Sequence, residues 1–203
     1  RTATAGTPQG GVISPLLANI YLHLLDRLWA AKCGSLGILI RYADDFVVVC
    51  PSTKRAEEAR AFVESVLDQL GLKLSPSKTN IVSYGKGYSF LGFIISSRSR
   101  RMRPKSQKNF KDKIRELTRR KHNFEAEVIV KLNRVIGGTA RYFATSFFTG
   151  RSSFHKLDSW IRMRLRCMKF KRKSRHDNHK LRVKKFTKLG LLTLESFCHD
   201  HPA

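Results

Sequence analysis

The chain has 203 residues, enough for one or two domains with a hydrophobic core, and none of its apolar runs approaches the length needed to span a bilayer. Lysine and arginine number 40 against 15 acidic residues, which gives a net charge of +25. A protein this cationic is expected to bind a polyanion, and nucleic acid fits better than an acidic membrane. The four cysteines lie far apart without a C-x-x-C pair, which argues against a disulfide framework or a zinc site and suits a reducing cytoplasm.

The first half of the chain predicts an α+β arrangement, an antiparallel sheet backed by helices. Ser14-Pro15 is a typical helix start, and apolar residues at a spacing of four predict that this helix is buried along one face. They form two rows: Leu16, Ile20, Leu24 and Leu28, and Leu17, Tyr21 and Leu25. Gly71 ends a second helix. The predicted order is helix, hairpin, helix and short strands, over residues 14–34, 37–50, 52–70, and 72–74, 81–84 and 88–95.

The composition changes near residue 96. Residues 1–97 hold 10 basic and 7 acidic residues, whereas residues 98–203 hold 30 and 8. The polar, basic stretch 96–103 predicts a flexible boundary. Beyond it, helical periodicity predicts a small helical bundle, with helices over residues 105–122, 125–144 and 153–169.

Adjacent acids stand at the tip of the predicted hairpin, in the sequence Tyr42-Ala43-Asp44-Asp45. Hairpin tips favour Asn-Gly or Asp-Gly because their backbone needs positive φ, and this tip contains no glycine. Neighbouring carboxylates also repel each other unless a cation holds them, and a divalent metal ion would do so. The alternative is a solvated acidic turn without a ligand.

Four sequence boxes occur in a fixed order: residues 6–15 (GTPQGGVISP), the Tyr42–Asp45 box, residues 71–79 (GLKLSPSKT) and residues 90–93 (FLGF). This ordered set resembles the later palm motifs of reverse transcriptases, most closely those of the group II intron reverse transcriptase/maturase family. Residues 137–143 and 157–162 resemble the thumb, or X, domain of the same family. The resemblance implies a partial polymerase palm over 1–97, an α-helical thumb bundle over 98–170 and a basic C-terminal tail over 171–203. That tail is either a short DNA-binding remnant or the end of the thumb.

The resemblance also implies a two-metal Mg²⁺ site. Asp44 is the stronger candidate ligand and Asp45 the more indirect one, and both are candidate catalytic residues. The family supplies a third aspartate from a strand that would precede Arg1. The chain is therefore expected to be a piece of a longer protein, without polymerase activity of its own.

Other boxes carry further implied roles, each with a simpler alternative. Gln9, Gly10 and Gly11 would lie along the incoming nucleotide and the templating base, or would only begin the following helix. Tyr42 would sit beneath the primer end, or would merely pack within its strand, while the small Ala43 would let the new strand approach the metals. Lys78 would be a general acid near the leaving pyrophosphate, or a solvated lysine. Leu91 and Gly92 would contact the primer.

Two dense basic blocks predict the main nucleic-acid contacts. Residues 98–122 hold 12 basic and 2 acidic residues, and residues 162–188 hold 13 and 1, which exceeds what solubility requires. The predicted nucleic-acid-binding residues are Arg98, Arg100, Arg101, Arg103, Lys105, Lys108, Arg162, Arg166, Lys169, Lys171, Arg172 and Lys173.

The favoured function is an RNA-directed DNA polymerase of a group II intron, with an RNA-binding maturase role in intron splicing and mobility. Its partners would be intron RNA, an RNA template with a DNA primer, and dNTPs. One alternative is a splicing-only maturase that binds RNA without polymerising, although a pure binder has no need of adjacent acids at a hairpin tip. The other is a reverse transcriptase of a retron or a diversity-generating element, which the stretch 157–162 (LDSWIR) fits less well.

Overall fold

The computed structural model describes residues 12–198. The chain divides between Lys86 and Gly87 into two compact units, here called the N-terminal unit and the C-terminal unit. This break in packing precedes the domain boundary that the sequence predicts after residue 97. Together the units make an α+β protein with small antiparallel sheets, as the sequence predicted.

The N-terminal unit is built from a helix, a hairpin and a second helix, and all three predictions are confirmed. Ser52 caps the second helix, since its side chain accepts a hydrogen bond from the backbone N–H of Arg55. The hairpin pairs in continuous register from Ile38 opposite Val49 to Tyr42 opposite Asp45. The elements are α1 (Ser14–Lys32), β1 (Ile38–Tyr42), β2 (Asp45–Val49) and α2 (Thr53–Gln69).

One face of the hairpin forms the core of this unit with the two helices. Because side chains alternate along a strand, Leu39, Phe46 and Val48 lie on one face of the hairpin, where they are partly buried against a core that includes Trp29 and Val63. Full burial of an apolar side chain, as at Val63, contributes about 1.5–3 kcal/mol.

The predicted buried row of α1 is only partly correct. Leu16 and Ile20, in the first turns, are 58% and 65% exposed, whereas Leu25 and Trp29 further along are buried. The described residues of this unit cover the later turns of α1. The first turns have the same apolar periodicity but remain exposed.

Residues 72–74 and 81–84 are not strands, so those two predictions are wrong. A strand needs a partner for its backbone groups, and these short apolar runs form no ladder within the described chain. The connection instead contains a turn in which the Ser75 carbonyl accepts hydrogen bonds from the backbone N–H groups of Lys78 and Thr79, at 3.0 and 2.9 Å.

The C-terminal unit opens with a three-stranded antiparallel sheet in the order β3–β4–β5. Its strands are Tyr88–Phe90, Phe93–Ile95 and Arg100–Met102. The first two confirm the strands predicted over residues 88–95. The third lies within the stretch predicted to be a flexible boundary, so that prediction is wrong. A turn closed by Ser96 and Ser99, whose hydroxyls lie 2.9 Å apart, leads into β5.

Three long helices follow, as predicted: α3 (Pro104–Leu117), α4 (Ala126–Phe143) and α5 (Arg151–Phe170). Their apolar faces meet in one core that includes Ile114, Leu132, Ile136, Phe154 and Leu165. Across residues 12–198, no helix combines the length and apolar character needed to cross a membrane.

The C-terminal segment, residues 171–198, is packed onto these helices. It contains α6 (Asp177–Lys180), α7 (Val183–Lys188) and a 3-10 helix at Glu195–Cys198. Leu181, Phe186 and Leu194 are at most 2% exposed and belong to the same core as the helices. The segment is basic, as predicted, but its described part is a structural layer of the bundle.

Two buried or half-buried side chains hold this segment by its backbone. Asn133 on α4 donates to the Gly190 carbonyl and accepts from the Leu192 N–H, at 2.7 and 2.9 Å. Asp158 on α5 is 3% exposed and accepts from the N–H groups of Leu194 and Glu195, at 2.8 and 3.1 Å. Burial raises the pKa of the Asp158 carboxyl, and the two hydrogen bonds from backbone N–H groups oppose that rise.

Replacing this carboxylate will loosen the C-terminal segment. Asp158→Ala leaves two backbone N–H groups without their acceptor, which we expect to lower the free energy of unfolding by about 2–4 kcal/mol. Urea denaturation followed by Trp160 fluorescence measures the change. Asp112→Ala, at an exposed position on α3, is the matched control, with an expected loss below about 1 kcal/mol. Equal losses for the two variants would contradict the assignment.

Candidate active site and nucleic-acid interface

The acidic turn, residues 43–45, sits where the two hairpin strands meet. Ala43 and Asp44 are the two residues between the paired Tyr42 and Asp45. Ala43 has a φ of 52°, the positive value that a glycine usually supplies at a two-residue hairpin turn. A left-handed conformation costs an alanine about 1–2 kcal/mol, so other contacts must hold this turn.

Arg41 provides those contacts. Its guanidinium donates to both carboxylate oxygens of Asp26 on α1, with Nε 2.9 Å from Oδ1 and Nη2 bonded to Oδ2. Nη1 donates to the Ala43 carbonyl at 2.7 Å and to Asn19 Oδ1 at 3.0 Å. The hydrogen bonds to Asp26 hold the pKa of Arg41 above its ordinary value. One side chain therefore ties the strained turn to the helix beneath it.

Sequence reasoning missed this role for Arg41. Its partner Asp26 lies in the helix after the box at residues 6–15, fifteen positions before Arg41 in the sequence. The usable signal was an arginine directly before Tyr42-Ala43-Asp44-Asp45 in a strand whose neighbours are apolar. A cation at a half-buried strand position requires an acidic or carbonyl partner.

The two acids themselves are free to bind a cation. Asp44 and Asp45 are exposed, and neither forms an ion pair with a basic side chain within residues 12–198. Across the same residues, no group of three or more His, Cys, Asp or Glu side chains is arranged to hold a metal. The turn thus offers two hard carboxylate ligands, which suit a divalent cation such as Mg²⁺.

The remaining predicted palm residues fall in different surroundings. Tyr42 is 66% exposed, on the face of the hairpin opposite the core, so the described residues of the N-terminal unit leave most of it uncovered. Lys78 is exposed on the turn at residues 75–78. Gln9, Gly10 and Gly11 lie outside the described residues. No hydrogen bond or ion pair within the described chain links Lys78 to the acidic turn.

Leu91 and Gly92 form the two-residue turn between β3 and β4, with φ values of 45° and 83°. The Leu91 carbonyl accepts from the Tyr142 hydroxyl at 2.8 Å. The Gly92 carbonyl accepts from the Arg103 N–H at 2.9 Å and the Ser106 hydroxyl at 3.2 Å. A Cβ on Gly92 would lie 3.2 Å from Ser106 Oγ, so turn geometry and close packing both require the glycine.

The predicted nucleic-acid-binding residues divide into three groups. Several bond inside the C-terminal unit: Arg166 donates to the Leu181 carbonyl, Lys171 to the carbonyls of Arg120 and His122, and Arg172 pairs with the buried Asp177. Burial lowers the pKa of Arg166. The exposed members that have no such internal partner within the described chain are Arg98, Arg101, Lys105, Lys108 and Lys173.

The other predicted members have lesser contacts. Arg162 donates to Ser159 Oγ at 2.9 Å, and the Lys169 ammonium lies 5.5 Å from the Phe124 ring centroid. Arg100 and Arg103 are half-buried. Sequence reasoning missed Arg164, which closes the end of α3 by donating to Thr118 Oγ1 and to the Thr118 carbonyl, at 3.1 and 2.9 Å.

Two protein families match this chain. Residues 1–95 match the reverse transcriptase (RNA-dependent DNA polymerase) family, and residues 107–189 match the group II intron maturase-specific domain. The chain belongs to the group II intron reverse transcriptase/maturase family. The first match contains the acidic turn, and the second contains α4, α5 and most of α3.

Several curated relatives match parts of this reverse transcriptase/maturase chain. Protein YkfC of Escherichia coli is 35% identical, over 49% of this chain and 35% of YkfC. The retron Ec86 reverse transcriptase of E. coli is 36% identical, over 44% of this chain and 28% of that protein. The group II intron-encoded protein LtrA of Lactococcus lactis is 78% identical over 11% of this chain and 4% of LtrA. The chain thus spans about a third or less of the relatives it matches.

Breaking the tie between Arg41 and Asp26 will destabilise the N-terminal unit of this maturase-type chain. Arg41→Met leaves a carboxylate and a turn carbonyl unpaired at a site where Arg41 is 10% exposed. We expect a loss of about 2–3 kcal/mol in the free energy of unfolding. Urea denaturation measures it, followed by Trp29 fluorescence in a Trp160→Phe background.

The matched control for this prediction is Arg60→Met. Arg60 forms an exposed pair with Glu64 on α2, worth about 0.5 kcal/mol or less. The double variant Arg41→Met with Asp26→Leu should lose less than the sum of its single changes, because neither partner is then left alone. Additive losses, or an Arg41→Met loss as small as that of Arg60→Met, would contradict the proposed tie.

Proposed function

We propose that this chain is part of an RNA-directed DNA polymerase encoded by a group II intron, with a maturase role in splicing and mobility of its intron. The N-terminal unit would supply part of the palm, and the helices of the C-terminal unit the thumb. The observation that carries the polymerase proposal is the acidic turn, which Arg41 anchors and which presents Asp44 and Asp45 to solvent without a basic partner in the described chain.

Divalent metal ions are general to reverse transcriptases, and we propose Mg²⁺ held by Asp44 and Asp45 with a further carboxylate from outside this chain. The bound ions would lower the pKa of the primer 3′-hydroxyl and stabilise charge on the transferring phosphate. Asp44 and Asp45 supply fixed negative charge at a rigid turn, and Arg41 keeps that turn in place. We further propose Lys78 as the proton donor to the leaving pyrophosphate, on the support of its exposed position at a turn.

Removing the carboxylates should abolish DNA synthesis. We expect Asp44→Asn to slow Mg²⁺-dependent extension of a DNA primer on an RNA template by at least about 100-fold, because several kcal/mol of transition-state stabilisation are lost. Lys78→Ala should slow single-turnover incorporation by about 100-fold. The assay uses the polypeptide of the complete reading frame.

Asp68→Asn, at an exposed acid near the end of α2, is the matched control for polymerase activity and should leave the rate unchanged. Wild-type rates for Asp44→Asn would contradict the polymerase proposal. Wild-type rates for Lys78→Ala alone would remove only the proton-donor role.

The second candidate function, an RNA-binding maturase without polymerisation, has support of its own. Residues 107–189 match the maturase-specific domain, and residues 98–203 carry 30 basic against 8 acidic residues. We propose intron RNA as the partner of this basic unit, with a template–primer duplex and dNTPs as partners of the polymerase. Loss of polymerase activity in Asp44→Asn without loss of intron splicing would separate the two roles.

RNA binding by the C-terminal unit should depend on the exposed basic residues rather than on the internally bonded ones. Replacing Arg101, Lys105 and Lys108 by glutamine should weaken RNA binding and lower the slope of log K against log salt by up to about 2, since each lost phosphate contact of a single strand contributes about 0.7. Filter binding across a salt series gives both values.

Lys171→Gln is the matched control for the salt slope. It removes one positive charge, as each single change in the triple variant does, but also the hydrogen bonds to the Arg120 and His122 carbonyls, so we expect lower thermal stability and a largely retained slope. A slope decrease of about 0.7 for Lys171→Gln, equal to the decrease expected for each residue of the triple variant, would contradict this division of the basic residues.

A further inference from the structure

Two neighbouring phenylalanines in the loop between α4 and α5 have opposite environments. The Phe148 ring packs on the buried Phe154, with centroids 4.5 Å apart, and joins the core. Phe147 is 68% exposed and does not belong to the apolar core of the C-terminal unit. An isolated exposed apolar residue needs no explanation by itself, but this ring is carried by a fixed backbone and has a cation beside it.

The backbone that carries Phe147 is fixed on both sides. Residues 145–148 form a turn in which the Phe148 N–H donates to the Thr145 carbonyl at 2.9 Å. Directly after it, Thr149 is bonded to β5: its N–H donates to the Arg100 carbonyl and its Oγ1 accepts from the Arg100 N–H, both at 2.9 Å. A ring held outward by a fixed turn loses little conformational freedom when it binds a ligand.

A cation lies next to this ring. The Arg100 guanidinium carbon is 5.9 Å from the Phe147 ring centroid, within cation–π range, and Arg100 forms no ion pair within the described chain. The exposed Arg98 and Arg101 flank it on the same segment. An exposed aromatic face beside the Arg100 cation suits a nucleobase with its phosphate, because the base stacks on the ring while the phosphate meets the cation.

We propose that Phe147 and Arg100 form a stacking platform for an unpaired base of single-stranded RNA. The inference rests on the proposed RNA-binding function and adds to it a specific base contact. Net charge favours RNA over an apolar protein partner, since residues 98–203 carry 30 basic against 8 acidic residues. The charge alone recognises phosphate at any sequence, whereas the ring adds contact with a base that has left its stack.

The test is equilibrium binding of the 203-residue chain to single-stranded RNA that carries 2-aminopurine, across a salt series. Phe147→Ala should weaken binding about tenfold at every salt concentration, because stacking involves no counterion release. Phe147→Trp should retain the affinity and quench 2-aminopurine fluorescence. Arg100→Gln should lower the salt slope by about 0.7.

Two controls separate stacking from apolar contact and from misfolding. Phe147→Leu keeps an apolar side chain without a π-face and should bind as weakly as Phe147→Ala. Val183→Ala truncates another exposed apolar residue of the same unit and should bind as the wild type does. Because Phe147 is exposed, its variants should unfold at the wild-type temperature.

The outcomes are distinct. Wild-type affinity in Phe147→Ala or in Phe147→Leu overturns the platform while the RNA-binding function stands. Failure of the wild-type chain to bind RNA at any salt overturns both. Binding to vesicles of anionic phospholipid that Phe147→Ala abolishes, with RNA binding unchanged, would assign the ring to a membrane surface and overturn the proposal.

Discussion

Loops in this protein keep their shape because side chains on neighbouring elements bond to loop backbone groups. A buried or half-buried carbonyl or N–H without a partner costs free energy, so each tight turn needs a donor or acceptor from elsewhere. Arg41 supplies it at the acidic turn, Tyr142 and Ser106 at the turn of residues 91–92, and Asn133 and Asp158 along the C-terminal segment. The turns that bear the proposed site residues are therefore held in place by identifiable hydrogen bonds.

This constraint explains which parts of the fold could be predicted from sequence. The five long helices and the first hairpin lie where their apolar periodicity predicted them, because that periodicity is a local property of the sequence. The strand β5 was missed, since Arg100-Arg101-Met102 has little strand propensity and pairs only because the Ser96–Ser99 turn aligns it with β4. Conversely, residues 72–74 and 81–84 have strand-like composition but no ladder partner in the described chain.

The packing of the C-terminal segment onto the helices could not be predicted from the sequence either. The buried residues of this segment follow neither a helical nor a strand period, and they are interspersed with many basic residues. They are Leu181, Phe186, Leu191 and Leu194. At the site, the adjacent acids and their hairpin could be predicted from pattern alone. The tie from Arg41 to Asp26 could not, because it joins residues fifteen positions apart through a side-chain geometry that no local rule specifies.

The sheet of the C-terminal unit determines where this protein could be divided if it exchanged segments with a relative. Residues 87–95 match the reverse transcriptase family, yet they form β3 and β4, whose turn is held by Arg103, Ser106 and Tyr142. Recombination at the gap between the two family matches would join β3 and β4 of one protein to the helices of another. The turn between these strands would then depend on hydrogen-bond donors from a foreign unit. An exchange after Lys86 moves β3 and β4 together with the helices that hold them, and so transfers a self-contained unit.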